Sequence, residues 1–254
     1  MESIRFDGFS DIYESSRPTL PRQMFEILKK YKSSIETIVD IGCGTGLSTK
    51  VCEEFADRVI GIDPSEDMLK QAKRKENDKI KFIQGYGENT TLSDSVADIV
   101  ICAQSFHWMK KDETLNEVYR ILKPNGVFVI IDANYPPIIN KELEKLYFSI
   151  VRKAKKQEAF EEKILINKEK HIDSIKNSNL FDYARKIFFS KTELYDKERF
   201  KNFILSQSTV QKCIKGNYGI LKEELETLDD KLENIFNGKS LEAIFSYEMR
   251  IGIK

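Results

Sequence analysis

Ile38-Val39-Asp40-Ile41-Gly42-Cys43-Gly44-Thr45-Gly46 is the stretch whose reading decides the fold. The apolar run ending at Ile41 has the length and β-branched content of a buried strand. It breaks into three glycines on alternate positions, and a helix-like stretch, Leu47–Phe55, follows. Glycine allows positive φ and lets a ligand approach where a Cβ would clash. A strand, a glycine turn and a helix N-terminus together make a nucleotide-binding corner of an α/β sheet.

Outward from this corner, β-rich runs alternate with helical patterns from Ser34 to Asp132, the mark of a mostly parallel sheet. The strands expected are Thr37–Ile41, Arg58–Ile62, Ile80–Gln84, Ile99–Cys102 and Gly126–Asp132, with helices at Leu47–Phe55, Ser65–Arg74 and Glu113–Leu122. Lys123-Pro124-Asn125-Gly126 predicts a helix stop and a tight turn. Leu20, Met24, Ile27, Leu28 and Tyr31 recur at the spacing of an amphipathic helix. Beyond Asp132, Tyr135-Pro136-Pro137 breaks the chain before a long charged helix expected over Asn140–Glu162. A β-like Ala184–Ser190, helical Lys197–Ser206 and Lys222–Phe236, and a β-rich Ala243–Ile253 follow. The expected fold class is α/β, a Rossmann-like seven-stranded mostly parallel sheet with helices on both faces and a helical cap inserted after the fifth strand.

Composition is that of an ordinary globular protein: Lys+Arg and Asp+Glu balance at 41 each, so no global field draws in nucleic acid or anionic lipid. The most basic stretch, 141–200, carries 15 Lys/Arg against 11 Asp/Glu and reads as a solvated helical surface. No apolar run approaches the roughly 20 residues of a membrane span, and Met1–Gly8 has no secretory h-region. Cys43, Cys52, Cys102 and Cys213 show neither C-x-x-C pairing nor metal-ligand spacing, so no metal is expected and a reducing, cytoplasmic setting is.

Three further segments carry chemistry. Asp63 closes the second strand, 17 residues after Gly46, and is followed by Pro64-Ser65-Glu66-Asp67-Met68. A carboxylate here accepts hydrogen bonds from ribose hydroxyls, or caps the next helix with Pro64 at N1 and Glu66 at N3. Gly85-Tyr86-Gly87-Glu88 follows the third strand, and Ala103-Gln104-Ser105-Phe106-His107-Trp108 follows the fourth, where open α/β sheets bind ligands. Phe106 and Trp108 can surround a cation with π faces. His107, one of two histidines, is the candidate general base, and no His/Asp pair is evident in the sequence.

The G-x-G-x-G spacing after Asp40, followed by these segments in order, resembles class I S-adenosylmethionine-dependent methyltransferases, strongly over about residues 35–132. Ala103–Trp108 and Tyr13-Glu-Ser-Ser-Arg17-Pro18 are similar to segments of the small-molecule branch that includes trans-aconitate methyltransferases. The resemblance implies S-adenosyl-L-methionine as cofactor, S-adenosyl-L-homocysteine as product, and a small-molecule acceptor. The cofactor-binding positions it implies are Tyr13, Arg17, Asp40, Gly42, Cys43, Gly44, Gly46, Asp63, Pro64, Met68, Gly87, Glu88, Ala103, Gln104, Ser105 and Trp108. Arg17 would pair with the methionine carboxylate, and Gly87 stands where such enzymes usually carry alanine. One domain is expected, with 1–33 as N-terminal lid and helix, 34–132 as cofactor core, and 133–254 as helical cap elements plus the last two strands. It would act as a monomer or homodimer, without nucleic acid or membrane. Two alternatives stand beside it: a cofactor-binding regulator without transferase activity, and a nicotinamide-dependent oxidoreductase. The latter calls for G-x-G-x-x-G, and Leu47 occupies its third glycine.

Overall fold

The computed structural model describes residues 10–161, 170–216 and 219–254, the side chains of 158–161 excepted. Residues 1–9 of the expected lid and Glu162 of the expected long helix lie outside the described residues.

Seven strands form one sheet in the order β3-β2-β1-β4-β5-β7-β6. They are β1 Thr37–Ile41, β2 Arg58–Asp63, β3 Ile80–Gln84, β4 Ala97–Ala103, β5 Leu122–Ala133, β6 Tyr183–Tyr195 and β7 Leu241–Ile253. The first five are parallel, and β7 runs antiparallel to both β5 and β6. Every residue of β1 is buried. Ile38 joins the apolar cluster on one face and Val39 the cluster on the other, as a central strand covered twice requires. Each such side chain contributes roughly 1.5–3 kcal/mol by leaving water.

The helices are α1 Ser10–Ser16, α2 Arg22–Leu28, α3 Leu47–Cys52, α4 Glu66–Lys73, α5 Lys111–Ile121, α6 Lys141–Glu161, α7 His171–Asn177, α8 Lys197–Leu205, α9 Ser208–Lys215, α10 Lys222–Glu226 and α11 Leu228–Phe236. On one face Met24, Phe25 and Leu28 of α2 join residues of α6, α8, α9 and α11. On the other, Leu115, Val118 and Ile121 of α5 meet Ile175 of α7. The periodicity of 20–31 and 113–122 thus reports true buried faces.

Three expectations are corrected, and three short helices add to those expected. The helix expected over Lys222–Phe236 breaks at Thr227, whose φ of −100° departs from the helix. α1, α7 and α9, seven or eight residues long, carry too few turns to show a period. The residues 123–126 form no free turn before a strand: Leu122 already pairs with Ala97 and Val127 with Ile99, so they bulge out of β5. The bulge accommodates Pro124, which has no amide to donate, and Asn125 at φ +58°. Finally, the helical insertion is divided. α6 and α7 follow β5, whereas α8–α11 separate β6 from β7.

Strand order reverses between β1 and β4, and this places the carboxyl ends of both at one crevice.

Candidate functional site

The glycine corner is built by its own backbone. Gly42, Gly44 and Gly46 have φ of +72°, +56° and +80°, and the amides of Gly42 and Cys43 donate to Ile62 O at 2.7 and 3.1 Å. A Cβ on Gly46 would lie 2.7 Å from the Phe82 ring, whereas one on Gly44 would meet nothing within 4 Å. Gly46 therefore serves packing, and Gly44 faces open space.

Asp40 lies behind the corner, fully buried. Ser48 and Thr49 hydroxyls donate to its Oδ2 at 2.6 and 2.7 Å, which ties β1 to the first turn of α3. Oδ1 is buried without a hydrogen-bond partner among the described residues. Burial, opposed by those two hydrogen bonds and reinforced by the Asp63 charge, pushes the carboxyl from its ordinary 3.8 up to about 6. A raised carboxyl favours the folded state fully below its unfolded pKa and loses that advantage as pH rises through the folded one. Asp40 should therefore remove about 2 kcal/mol of stability between pH 4 and pH 6. Asp40→Asn, which keeps an acceptor for both hydroxyls, is expected to be less pH-dependent by that amount in urea titrations at the two pH values; parallel curves would refute the assignment. Burial also lifts the Cys43, Cys52 and Cys102 thiols well above their ordinary range, so they pack as apolar groups.

Asp63 accepts the amides of Gly44 and Ser65, each at 2.9 Å. Ser65, not Asp63, caps α4, its hydroxyl accepting from the Met68 amide at 3.3 Å. The proposed capping box on Asp63 is thus displaced by two residues, because Glu66 is already the first helical residue. Asp63 instead fastens the end of β2 to the glycine corner.

Gly87 is required by its neighbours: a Cβ there would lie 2.8 Å from Met109 Sδ and 3.1 Å from Thr114 Oγ1. Beside it, Glu88 pairs with Lys110 at 3.1 Å. After β4, Gln104 sits at φ +55° with its side-chain amide donating to Ala133 O, and Ser105 Oγ donates to Ile41 O at 2.7 Å. Phe106 is not a cavity wall. It is wholly buried, edge-on to Phe128 and to His171, which corrects its expected place beside a cation. His107 and Trp108 do face the cavity, their rings 4.7 Å apart.

At the N-terminal side, α1 is strapped to the end of β6 and to the residues that follow α4. Tyr195 Oη donates to Ser16 O at 2.6 Å, and Lys75 pairs with Glu14 at 2.8 Å. This brings the Arg17 guanidinium among the rings of Tyr13, Tyr135 and Phe203, at 4.6, 5.2 and 5.6 Å. Nη2 donates to Ser206 O at 2.7 Å, Nε is buried without a partner, and no carboxylate among the described residues pairs with the group.

These elements enclose a cavity of about 1310 Å³. Of the expected site residues, Tyr13, Arg17, Gly42, Gly44, Asp63, Pro64, Met68, Gly87, Glu88, Ala103, Gln104, Ser105, His107 and Trp108 line it. Cys43 borders a smaller adjoining recess. Asp40 and Gly46 stand behind the wall. Sequence reasoning missed Tyr147 and Lys155 of α6, Thr209 of α9, and Asp132, Glu248 and Arg250. Charged residues inside the apolar runs of β5 and β7 were the available signal for the last three. Those on α6 and α9 had none, since only tertiary contact brings these helices to the strand ends.

Residues 39–130 match a family model described as a methyltransferase domain. A Saccharomyces cerevisiae protein named as a probable S-adenosylmethionine-dependent methyltransferase is 38% identical over 123 residues, 46% of this chain and 42% of the relative. A structure described as a type II methyltransferase from Anaeromyxobacter dehalogenans aligns over 93% of this chain and 97% of its own, with TM-score 0.68 and 20% identity. A Haemonchus contortus phosphoethanolamine N-methyltransferase, solved with phosphomonomethylethanolamine and S-adenosylhomocysteine, covers 92% of this chain and 52% of its own, with TM-score 0.50 and 18% identity. The chain spans about half the length of the curated relatives it matches. The match places a methyltransferase domain over residues 39–130, and the solved structure from Anaeromyxobacter dehalogenans shares the fold of the whole sheet. No helix among the described residues is long and apolar enough to cross a membrane.

Proposed function

We propose that the chain works as one domain that transfers the methyl group of S-adenosylmethionine to a small-molecule acceptor, with a cofactor site that resembles that of the branch that includes trans-aconitate methyltransferases. The observation that carries this reading is the pairing of Asp63 and Arg17 on one cavity. A carboxylate at the end of β2 and a ring-caged guanidinium with no carboxylate partner among the described residues suit the ribose hydroxyls and amino-acid carboxylate of one cofactor. Gly44, with no atom near its absent side chain, leaves room between them.

When bound, the cofactor supplies an electrophilic methyl carbon. The protein's part is to align an acceptor, and proximity and orientation contribute roughly 7–11 kcal/mol to such a step. Gly87 and Glu88 border the adenine, Trp108 and Gln104 the methionine half, and α6 and α9 close over the acceptor and exclude water. His107 is the candidate base. Four free, buried cysteines support a reducing, cytoplasmic setting.

Titration calorimetry with S-adenosylhomocysteine tests the reading directly. Binding by the wild type is expected, and Asp63→Asn should weaken it by about 1.5–3 kcal/mol, since charge-assisted bonds are lost while a side-chain acceptor remains for one backbone amide. Absence of binding by the folded wild type would refute the proposal. Trp108→Ala should reduce cofactor affinity and methyl transfer, with stability measured alongside because a large ring is also removed from the wall.

A further inference from the structure

Beside the cavity lies a cluster of ionisable side chains that cofactor binding does not use. Asp132 pairs in register with Glu248 across β5 and β7, and Arg250 pairs with Ile130. The two-residue period of a strand puts Asp132, Glu248 and Arg250 on one face, where diagonal neighbours reach one another. Arg250 Nη1 donates to Asp132 Oδ2 at 2.6 Å, and its Nη2 lies 2.8 Å from Glu248 Oε2. Lys186 of β6 closes on Glu248 at 2.8 Å.

Two imidazoles approach Asp132 from other elements. His171, at the start of α7, has Nδ1 3.4 Å from Oδ2; His107, in the turn after β4, has Nδ1 3.9 Å from Oδ1. Their rings are nearly parallel, 6.2 Å apart. The side chains of Asp132, His107, His171 and Arg250 are at most 6% exposed. Burying charges costs several kcal/mol per ion unless pairing offsets it, and apolar residues would join the same strands without that cost. His107, Asp132, Glu248 and Arg250 all line the cavity, so the cost is borne at a wall that substrate meets.

We infer that Asp132 is a positioning residue that keeps His107 protonated at Nδ1, so that Nε2 takes a proton from the methyl acceptor, and that the acceptor is a hydroxyl or amine compound rather than a carboxylic acid. The inference rests on the methyltransferase reading. Arg250 and His171 both approach Oδ2, which leaves Oδ1 as the oxygen nearer His107. A carboxylate beside Nδ1 selects the tautomer that carries its proton there. At 3.9 Å the two atoms are beyond hydrogen-bond range, and catalytic hydrogen bonds often tighten only when the complex assembles. The proton of the acceptor's O–H, or of its ammonium N–H, passes to Nε2, the pair left on oxygen or nitrogen forms the bond to the methyl carbon, and the pair of the broken carbon–sulfur bond stays on sulfur. A carboxylate acceptor is already ionised and needs no base, so a histidine held in the base-competent tautomer would serve no purpose there.

The two histidines make the test compact. In ¹⁵N-histidine spectra taken where both rings are neutral, with S-adenosylhomocysteine bound, the ring that disappears in His107→Gln is expected in the Nδ1–H form. Asp132→Asn should shift it toward Nε2–H. A wild-type His107 in the Nε2–H form overturns the inference, and does so even if Asp132→Asn fails to fold. Methyl-labelled product formed from a cell extract should withstand mild alkali, as methyl ethers and amines do; release of labelled methanol would identify a methyl ester and overturn the acceptor class. Calorimetric binding of S-adenosylhomocysteine on the same samples reports separately on the methyltransferase reading.

Discussion

Arg250→Met is expected to lower the free energy of unfolding by about 3–5 kcal/mol, because removing one partner of a buried ion pair leaves the other charged and unpaired. In a chain of this size such a loss corresponds to a fall in Tm of about 6–20 °C. Arg250 is 1% exposed and holds both Asp132 and Glu248, so its removal takes the guanidinium from the buried Asp132, while Glu248 keeps Lys186. Adding Asp132→Asn should recover part of the loss, since the worst-placed charge is then gone. Thermal denaturation of both variants checks this. A single variant as stable as the wild type would mean that the carboxylates are held by other groups.

The second large effect lies in the glycine corner. Gly42→Ala should cost about 2–5 kcal/mol, combining the strain of a left-handed alanine with overpacking. The new Cβ would stand 2.4 Å from Ser105 Cβ and 2.8 Å from its hydroxyl, which is itself bonded to Ile41 O. Gly44→Ala makes the informative contrast. It meets no protein atom, so only the backbone strain of about 1–2 kcal/mol remains, while its methyl enters the space assigned to the cofactor. The expected pattern is a strongly destabilised Gly42→Ala and a modestly destabilised Gly44→Ala that no longer binds S-adenosylhomocysteine. Equal stability losses with unimpaired binding would show that the corner does not contact the cofactor.

The parallel half of the fold was legible because its information is local. β1 and β3 span the residues expected of them, Thr37–Ile41 and Ile80–Gln84, and the glycines mark the corner without reference to any other part of the chain. Asp63 was legible for the same reason, as a lone acid closing an apolar strand. Its partners were not. The amide of Gly44 is 19 residues away and reaches Asp63 only because β1 and β2 lie side by side. Trp108 and Phe106 show the limit from the opposite direction. Both are aromatic and two residues apart, yet a single 3₁₀ turn sends one to the cavity and the other into the core.

By itself the sequence determined the class of sheet and the strand-end corner, since strand period, glycine backbone freedom and a strand-end carboxylate act within a few residues. Tertiary structure alone decided which charged side chains line the far wall of the cavity. Asp132, His107, His171 and Arg250 come from four separate elements, and they converge because β7 inserts antiparallel beside β5 while α7 packs over the same face. Charge pairs of this kind depend on through-space distances of 3–4 Å, and no pattern along the chain encodes those.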